Sequence, residues 1–252
     1  MNPYNSDHSE LSIESSLRSA KEIVPFIVEM LHPTSIVDIG CATGAWLSVF
    51  ANLGAEKILG VDGDYVNTNH LKIPESVFLV HNLEQPLELT QEFDLVLSLE
   101  VAEHISAKNA ESFVNTLTNL GPAILFSAAL PYQPGDTHIN CQWPDYWATF
   151  FYKKGYVLFD CLRMKFWQNE NVDWWYSQNM LLFLRQSSLS DYPKLTKSFS
   201  YSNRPPASII HPKLYLMHLE KDDRRFKSKL VESLKQKLGR PFRKKSILGS
   251  SA

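Results

Sequence analysis

The chain has 252 residues, a hydrophobic content of 44% and a formal net charge of −2 at pH 7. This is enough apolar sequence to bury the core of one domain with a modest appendage, so a second catalytic domain is not required. No apolar run approaches the ~20 residues of a membrane span, and residues 1–10 lack the apolar stretch of a secretion signal, so we expect a cytoplasmic protein.

Apolar residues recur at helical spacing before Pro33, which predicts a first α-helix. They are Leu17, Val24, Ile27, Val28 and Leu31. Beyond this helix, runs rich in β-branched residues alternate with helical patterns, and the alternation predicts an α/β protein with a doubly wound, parallel sheet. The predicted strands are residues 36–39, 58–62, 77–80, 93–99, 123–128, 156–163 and 179–185.

The first predicted strand ends in an acid and a glycine-rich turn, Asp38-Ile-Gly40-Cys-Ala42-Thr-Gly44. Glycine lets the backbone turn sharply and approach a ligand, and the next helix directs its N-terminal N–H groups over the turn. A P-loop would need Gly-Lys-Ser/Thr, which does not follow, and a dinucleotide fingerprint would need a third glycine where Ala45 stands. The Asp38 carboxylate favours an ammonium or sulfonium over a phosphate, because opposite charges attract strongly where water is partly excluded.

This turn resembles the first motif of the class I S-adenosylmethionine-dependent methyltransferases, and the resemblance covers most of residues 35–185. It implies a Rossmann-like methyltransferase fold, a mostly parallel seven-stranded sheet with an antiparallel edge strand, and S-adenosylmethionine as cofactor. Ala42 replaces the family's middle glycine, Asp62 would accept hydrogen bonds from the ribose hydroxyls, and Asn82 would accept one from the adenine amino group. The implied cofactor-binding residues are Asp38, Gly40, Cys41, Ala42, Gly44, Asp62, Gly63, Asn82 and Leu83.

The fourth predicted strand runs directly into Glu100-Val-Ala-Glu103-His104. A helix starting near Glu100 would place both carboxylates and the imidazole on one face, where they can hold a divalent cation. The spacing resembles the metal-binding motif of ubiquinone-pathway O-methyltransferases and small-RNA 2′-O-methyltransferases. The resemblance implies Mg²⁺ or another divalent cation that lowers the pKa of the acceptor hydroxyl, with His138 as a fourth ligand. The alternative is that these residues cap and pack, without a metal.

Residues 130–147, after the fifth predicted strand, are rich in hydrogen-bonding groups and aromatic rings, and we interpret them as an acceptor-binding loop. His138 is a candidate general base as well as a metal ligand, and the alternative is a loop histidine bonded to the backbone. Trp143, Tyr146 and Trp147 occur at helical spacing after Pro144, which fits packing as well as stacking on a sugar or ring.

The predicted function is S-adenosylmethionine-dependent O-methylation of a hydroxyl, with His138, Glu100, Glu103 and His104 as catalytic residues. The acceptor class rests on resemblance alone: residues 138–147 and 174–180 are similar to a bacterial branch associated with glycan or natural-product pathways, which implies a small-molecule or glycan acceptor. The alternatives are N-methylation, 2′-O-methylation of RNA, and a non-catalytic cofactor-binding subunit. A nicotinamide-dependent oxidoreductase is disfavoured by the acid of the first turn.

The sequence pattern divides the chain into an N-terminal helical segment (1–34), a methyltransferase core (35–186) and a linker with a basic helical tail (187–252). Residues 221–252 hold 11 Lys or Arg and 3 Asp or Glu, a net charge of +8 in a chain of net −2, so the first 220 residues are acidic and argue against a broad nucleic-acid surface. A basic amphipathic helix is predicted here, which either docks on the acidic core or contacts an anionic membrane peripherally. Its apolar residues are Phe226, Leu230, Leu234 and Leu238.

Overall fold

The computed structural model describes residues 6–221 together with Arg224 and Lys229, and residues 6–13 as backbone only. In this part of the chain a seven-stranded sheet has the strand order β3-β2-β1-β4-β5-β7-β6. The strands are β1 (Ser35–Ile39), β2 (Lys57–Asp62), β3 (Phe78–Val80), β4 (Leu95–Leu99), β5 (Ala123–Ser127), β6 (Tyr156–Phe159) and β7 (Leu181–Arg185). The helices are α1 (Ser6–Leu31), α2 (Ala45–Asn52), α3 (Ala110–Leu120), α4 (Pro144–Lys153), α5 (Arg163–Phe166), α6 (Trp174–Asn179) and α7 (Pro193–Ser198).

The first five strands run parallel, and β7 runs antiparallel to both of its neighbours, β5 and β6. The predicted doubly wound, mostly parallel seven-stranded sheet is therefore confirmed, with the antiparallel pair at the β6 side. The predicted strand 156–163 ends earlier, at Phe159, because Asp160 instead binds the guanidinium of Arg163 at the start of α5.

Two apolar clusters cover the two faces of the sheet. Alternate strand residues explain this division: Ile36 and Leu97 belong to the cluster with α1, α2 and α5–α7, whereas Val37 and Val96 belong to the cluster with α3 and α4. Because both faces are covered, the strands are apolar throughout, as expected of a buried parallel sheet. Ligands of such sheets bind outside the carboxyl ends of the strands.

The chain divides into two compact units, Met1–His211 and Pro212–Ala252. Residues 187–211, which the sequence assigns to a linker, are part of the first unit. In the second unit residues 212–221 are helical. The apolar residues of the predicted basic amphipathic helix, 226–238, lie outside the described residues. Among the helices that the structure describes, none combines the length and the apolar character needed to cross a bilayer.

Candidate active site

The turn between β1 and α2 places its glycines in the left-handed region, with φ values of 88° at Gly40 and 78° at Gly44. Ala42 lies there too, with φ 47°, a conformation that costs an L-residue roughly 1–2 kcal/mol. A Cβ at residue 40 would lie 2.3 Å from Cγ2 of Val101, so the turn packs directly on the segment after β4. The predicted cofactor turn therefore touches the strand end that carries Glu100.

Asp62, the last residue of β2, is buried beside this turn. Its Oδ2 accepts a hydrogen bond from the backbone N–H of Ala42 at 2.7 Å. Its Oδ1 accepts one from the N–H of Gly63 at 2.7 Å and one from the hydroxyl of Tyr65. The carboxylate thus joins the ends of β1 and β2, and its contact with the ribose hydroxyls stays a prediction.

Asp38 lies in β1 and is also buried, but no hydrogen bond reaches its carboxylate within residues 14–221. Burial raises its pKa to about 7, and the charge of Asp62 contributes to this rise. A cationic ligand nearby would stabilise the ionised form. Burial also raises the pKa of the neighbouring Cys41 thiol, which is therefore neutral at physiological pH.

Asn82 and Leu83 follow β3. The side-chain carbonyl of Asn82 accepts a hydrogen bond from the N–H of Glu84 at 3.0 Å, so it stabilises its own turn. Leu83 packs against the apolar cluster on the α3 and α4 face. Since a carbonyl oxygen has a second lone pair, the adenine contact of Asn82 stays a prediction.

The backbone changes direction after β4. Glu100 has φ 57°, in the left-handed region, and a single 3₁₀ turn, Ala102–His104, follows. The predicted α-helix starting near Glu100 is wrong, because a left-handed residue interrupts a right-handed helix and Val101 is held against the glycine turn. Glu103 and His104 lie on the 3₁₀ turn, and Glu100 lies outside it.

Side-chain amides from two other segments bind the Glu100 carboxylate. Gln133 Nε2 donates to Oε2 at 2.7 Å, and Asn179 Nδ2 lies 3.1 and 3.2 Å from the two oxygens. Gln178 Nε2 donates to Asn179 Oδ1 at 2.9 Å and lies 3.3 Å from Gln133 Oε1, while its own Oε1 accepts from the backbone N–H of His211 at 2.7 Å. Burial raises the pKa of Glu100, and the hydrogen bonds partly offset this rise. We call Gln133, Gln178 and Asn179 the amide clamp.

Glu103 is completely buried, and neither oxygen of its carboxylate has a hydrogen-bond partner among the described residues. Burial raises its pKa well above the ordinary value, and the nearby charge of Glu100 raises it further. The backbone N–H groups of Glu103 and Ala129 lie close enough to offset part of this rise. The main-chain carbonyl of Glu103 accepts hydrogen bonds from Ile139 at 3.0 Å and Asn140 at 2.9 Å, which joins the acceptor loop to the 3₁₀ turn.

His104 and His138 meet edge to face, with ring centroids 4.9 Å apart. His104 Nδ1 lies 3.0 Å from Oγ1 of Thr137, and His138 Nδ1 lies 3.5 Å from Sγ of Cys141. His138 Nε2 lies 3.9 Å from Oε1 of Glu103. Burial lowers the pKa of both histidines below the ordinary value, so both imidazoles are neutral at neutral pH and can accept a proton or a metal ion.

One potential metal-ligating atom from each of Glu103, His104 and His138 lies within 4.8 Å of the others. Glu100, which the sequence also predicts as a ligand, lies outside this group and is bound by the amide clamp. Two imidazole nitrogens and one carboxylate suit Zn²⁺ or Fe²⁺ better than Mg²⁺, which prefers oxygen ligands. The His138 ring packs directly over Gly135, where a Cβ would lie 2.1 Å from Nε2.

The aromatic residues of the acceptor loop divide between packing and exposure. Trp147 is buried in the core against Phe126, so its spacing reflects packing. Trp143 is 39% exposed. Asn140 is buried, its Nδ2 has no partner among the described residues, and its Oδ1 accepts from Gln142 at 2.9 Å.

Sequence reasoning missed the amide clamp and the packing of the His138 ring over Gly135. Glutamine and asparagine have no characteristic spacing, and the clamp joins residues about 80 positions apart. The only available signal was the local sequence Ser-Gln-Asn at residues 177–179, in which two amides directly precede an apolar strand.

Comparison with known proteins gives a consistent picture. A family model described as a methyltransferase domain matches residues 15–180. The mitochondrial ubiquinone biosynthesis O-methyltransferase of Dictyostelium discoideum is 29% identical in an alignment of 106 residues that covers 36% of this chain and 32% of that protein. The chain thus matches about a third of the length of this curated relative.

Solved structures share the fold at low sequence identity. CalS10, an amino pentose methyltransferase from Micromonospora echinaspora, has a TM-score of 0.55 at 12% identity, over 73% of this chain and 99% of that one. The methyltransferase domain of bacterial CtHen1-C has a TM-score of 0.50 at 18% identity, over 66% of this chain and 97% of that one. At such identities the likeness concerns the arrangement of strands and helices.

Proposed function

The chain belongs to the class I S-adenosylmethionine-dependent methyltransferases, and from this premise we propose that it methylates a hydroxyl oxygen of a sugar or another small natural product. The cofactor-side residues fit the proposed donor. The turn at Gly40 allows close backbone approach, Asp62 offers carboxylate oxygens to a ribose, and Asp38 is a buried acid that a sulfonium or ammonium would stabilise.

The observation that carries the proposal is the pairing of His138 with Glu103. A hydroxyl is a poor nucleophile until it loses its proton, so an O-methyltransferase needs a proton acceptor at the strand ends. Burial raises the pKa of Glu103 and lowers that of His138, and the two groups lie 3.9 Å apart. Together they can hold one proton.

When bound, S-adenosylmethionine supplies a methyl group on a positively charged sulfur. With this donor bound, the pair of His138 and Glu103 would take up the hydroxyl proton while the acceptor oxygen displaced the sulfur at the methyl carbon. The protein's further contribution is alignment, because displacement at a methyl group requires the attacking oxygen in line with the leaving sulfur.

As an alternative to proton transfer through the pair of His138 and Glu103, we propose a divalent cation between Glu103, His104 and His138, since side chains that ligate a cation cannot also take up the proton. The unpartnered oxygens of Glu103 and the two neutral imidazoles are a suitable donor set. A cation there would lower the pKa of an acceptor hydroxyl. Elemental analysis of the purified protein, with dialysis against a chelator, tests this: a metal at one equivalent that Glu103→Gln loses supports the site, and a metal-free protein with full turnover contradicts it.

The activity test uses methyl-labelled S-adenosylmethionine with three acceptor groups: sugars and nucleotide sugars, small phenols and polyols, and RNA. Transfer of label to oxygen of a small molecule, absent with the matched deoxy compound, supports the proposal. Label on nitrogen, or on RNA 2′-oxygens, would contradict it and favour the corresponding alternative. Tight binding of adenosylhomocysteine without turnover on any acceptor would indicate a non-catalytic cofactor-binding subunit.

A further inference from the structure

We propose that the amide clamp, Gln133, Gln178 and Asn179, consists of positioning residues that fix Glu100 where the cofactor turn and the acceptor loop meet. The inference rests on the proposed function, because the clamp acts on a carboxylate beside the reacting groups. It assigns a role to three side chains that the chemistry of the site does not otherwise use.

The hydrogen bonds of the clamp specify the orientation of the carboxylate. Gln133 binds one oxygen of Glu100, and Asn179 binds both. Asn179 Nδ2 also donates to Gln133 Oε1 at 2.9 Å, so the two donors fix each other. Amides are suited to this task because they donate hydrogen bonds without neutralising the charge that they orient.

The backbone of Glu100 is fixed as firmly as its side chain. Its N–H lies 3.0 Å from both the carbonyl oxygen and the hydroxyl of Ser127, at the end of β5. The next residue, Val101, packs against Gly40 of the cofactor turn, while Gln133 belongs to the acceptor loop. Glu100 therefore connects the cofactor turn, β5 and the acceptor loop at one point.

The clamp residues are buried, and polar side chains are not needed there merely to fill the space. Gln133, Gln178 and Asn179 are 8%, 0% and 3% exposed, respectively. Buried amides must be fully hydrogen-bonded to avoid a desolvation penalty, and an apolar cluster of similar volume would fill the space with no such requirement. The N–H of His211 completes the set by donating to Gln178 Oε1.

The test is a double-mutant cycle in methyl transfer. Asn179→Leu and Gln133→Leu should each lower kcat about 10- to 100-fold, while the affinity for adenosylhomocysteine stays within about twofold, because neither residue belongs to the predicted cofactor-binding set. In a Glu100→Gln background the same changes should cost less than about twofold, since the clamp acts through the Glu100 carboxylate. If the clamp residues had a merely structural role, their losses of kcat would multiply with the loss caused by Glu100→Gln.

Asn115→Leu, on the outer helix α3, is the matched control and should leave kcat unchanged. If Asn179→Leu does not fold, Asn179→Ser removes the same N–H donor with a smaller change in volume. Wild-type kcat from Asn179→Leu or Asn179→Ser, or multiplicative losses in the double variants, would overturn the inference while leaving the proposed function intact. Absence of methyl transfer to any hydroxyl by the wild-type protein would overturn both.

Discussion

The cofactor side of the site, at the ends of β1 and β2, and the acceptor side, at the end of β4, each hold two acids in contrasting environments. On the cofactor side Asp62 accepts three hydrogen bonds, whereas no hydrogen bond reaches Asp38 among the described residues. On the acceptor side amides bind Glu100, whereas the Glu103 carboxylate accepts no hydrogen bond among the same residues and lies 3.9 Å from His138 Nε2.

The contrast indicates a division of roles within each pair. A fully hydrogen-bonded acid fixes the backbone around it, as Asp62 fixes the turn at Ala42. A desolvated acid without donors destabilises the fold, and its raised pKa makes it responsive to a cation or a proton. Asp38 is suited to a positively charged ligand, and Glu103 is suited to proton or metal chemistry.

The largest expected effect is a loss of kcat when His138, on the acceptor side, is removed. His138→Ala should lower kcat about 10²- to 10⁴-fold, because the proton acceptor for the hydroxyl is lost. The affinity for adenosylhomocysteine, measured by calorimetry, should stay nearly unchanged. His70→Ala, at an exposed histidine, is the control. Wild-type turnover by His138→Ala would remove this residue from the mechanism.

The second expected effect is a loss of cofactor affinity when Asp62, on the cofactor side, is removed. Asp62→Ala should weaken adenosylhomocysteine binding about 10- to 100-fold, since hydrogen bonds to a charged acceptor are lost and the turn at Ala42 loses its anchor. Equilibrium dialysis measures this change. The exposed neighbour Asp64→Ala should bind like wild type, and equal affinities for both variants would show that Asp62 makes no such contact.

A third test uses pH to sharpen the contrast on the cofactor side. Because burial raises the pKa of Asp38 to about 7, affinity for S-adenosylmethionine should fall as pH drops below about 7, by up to about tenfold per unit. The Asp38→Asn variant should bind S-adenosylmethionine more weakly than wild type at pH 8, and its affinity should depend less on pH. A wild-type profile that is flat between pH 5 and 8 would contradict this role.

The raised pKa of Asp38 also makes the free energy of unfolding depend on pH. Between its ordinary value of 3.8 and about 7, the folded protein holds a proton that the unfolded chain has released. The contribution of Asp38 to the free energy of unfolding therefore decreases as pH rises through this range. Urea denaturation without ligand measures this. The free energy of unfolding of Asp38→Asn, relative to that of wild type, should be higher at pH 8 than at pH 4.

The smallest expected effect concerns the turn itself. Ala42→Gly should raise the free energy of unfolding by about 0.5 kcal/mol, because relief of the left-handed conformation exceeds the entropic cost of glycine. Ala51→Gly, on the exposed face of α2, should lower it by about 0.5–1 kcal/mol. Chemical denaturation measures both, and a loss of stability in Ala42→Gly would contradict the assignment of strain.

The sequence predicted the sheet well because each buried strand reads as an apolar run between turn signals. It also located the acids at the strand ends, since parallel topology brings those ends together. It failed at Glu100, where spacing alone predicted a helix. The left-handed backbone there depends on Val101 packing against Gly40, a tertiary contact that periodicity does not register.

The amide clamp was equally inaccessible from sequence. Its members lie on the acceptor loop and α6, and only the folded chain brings Gln133 and Asn179 to the same carboxylate. The metal interpretation shows the same limit. Sequence reasoning grouped Glu100 with Glu103, His104 and His138, whereas the folded backbone brings together the last three and leaves Glu100 outside the group.

The contact between Gly40 and Val101 has a consequence for how such enzymes diversify. The cofactor turn and the segment after β4 approach so closely that a Cβ added at residue 40 would lie 2.3 Å from Cγ2 of Val101. Any lineage that enlarged residue 40 would have to reshape the β4 terminus at the same time. Residues 40 and 101 are therefore expected to change together.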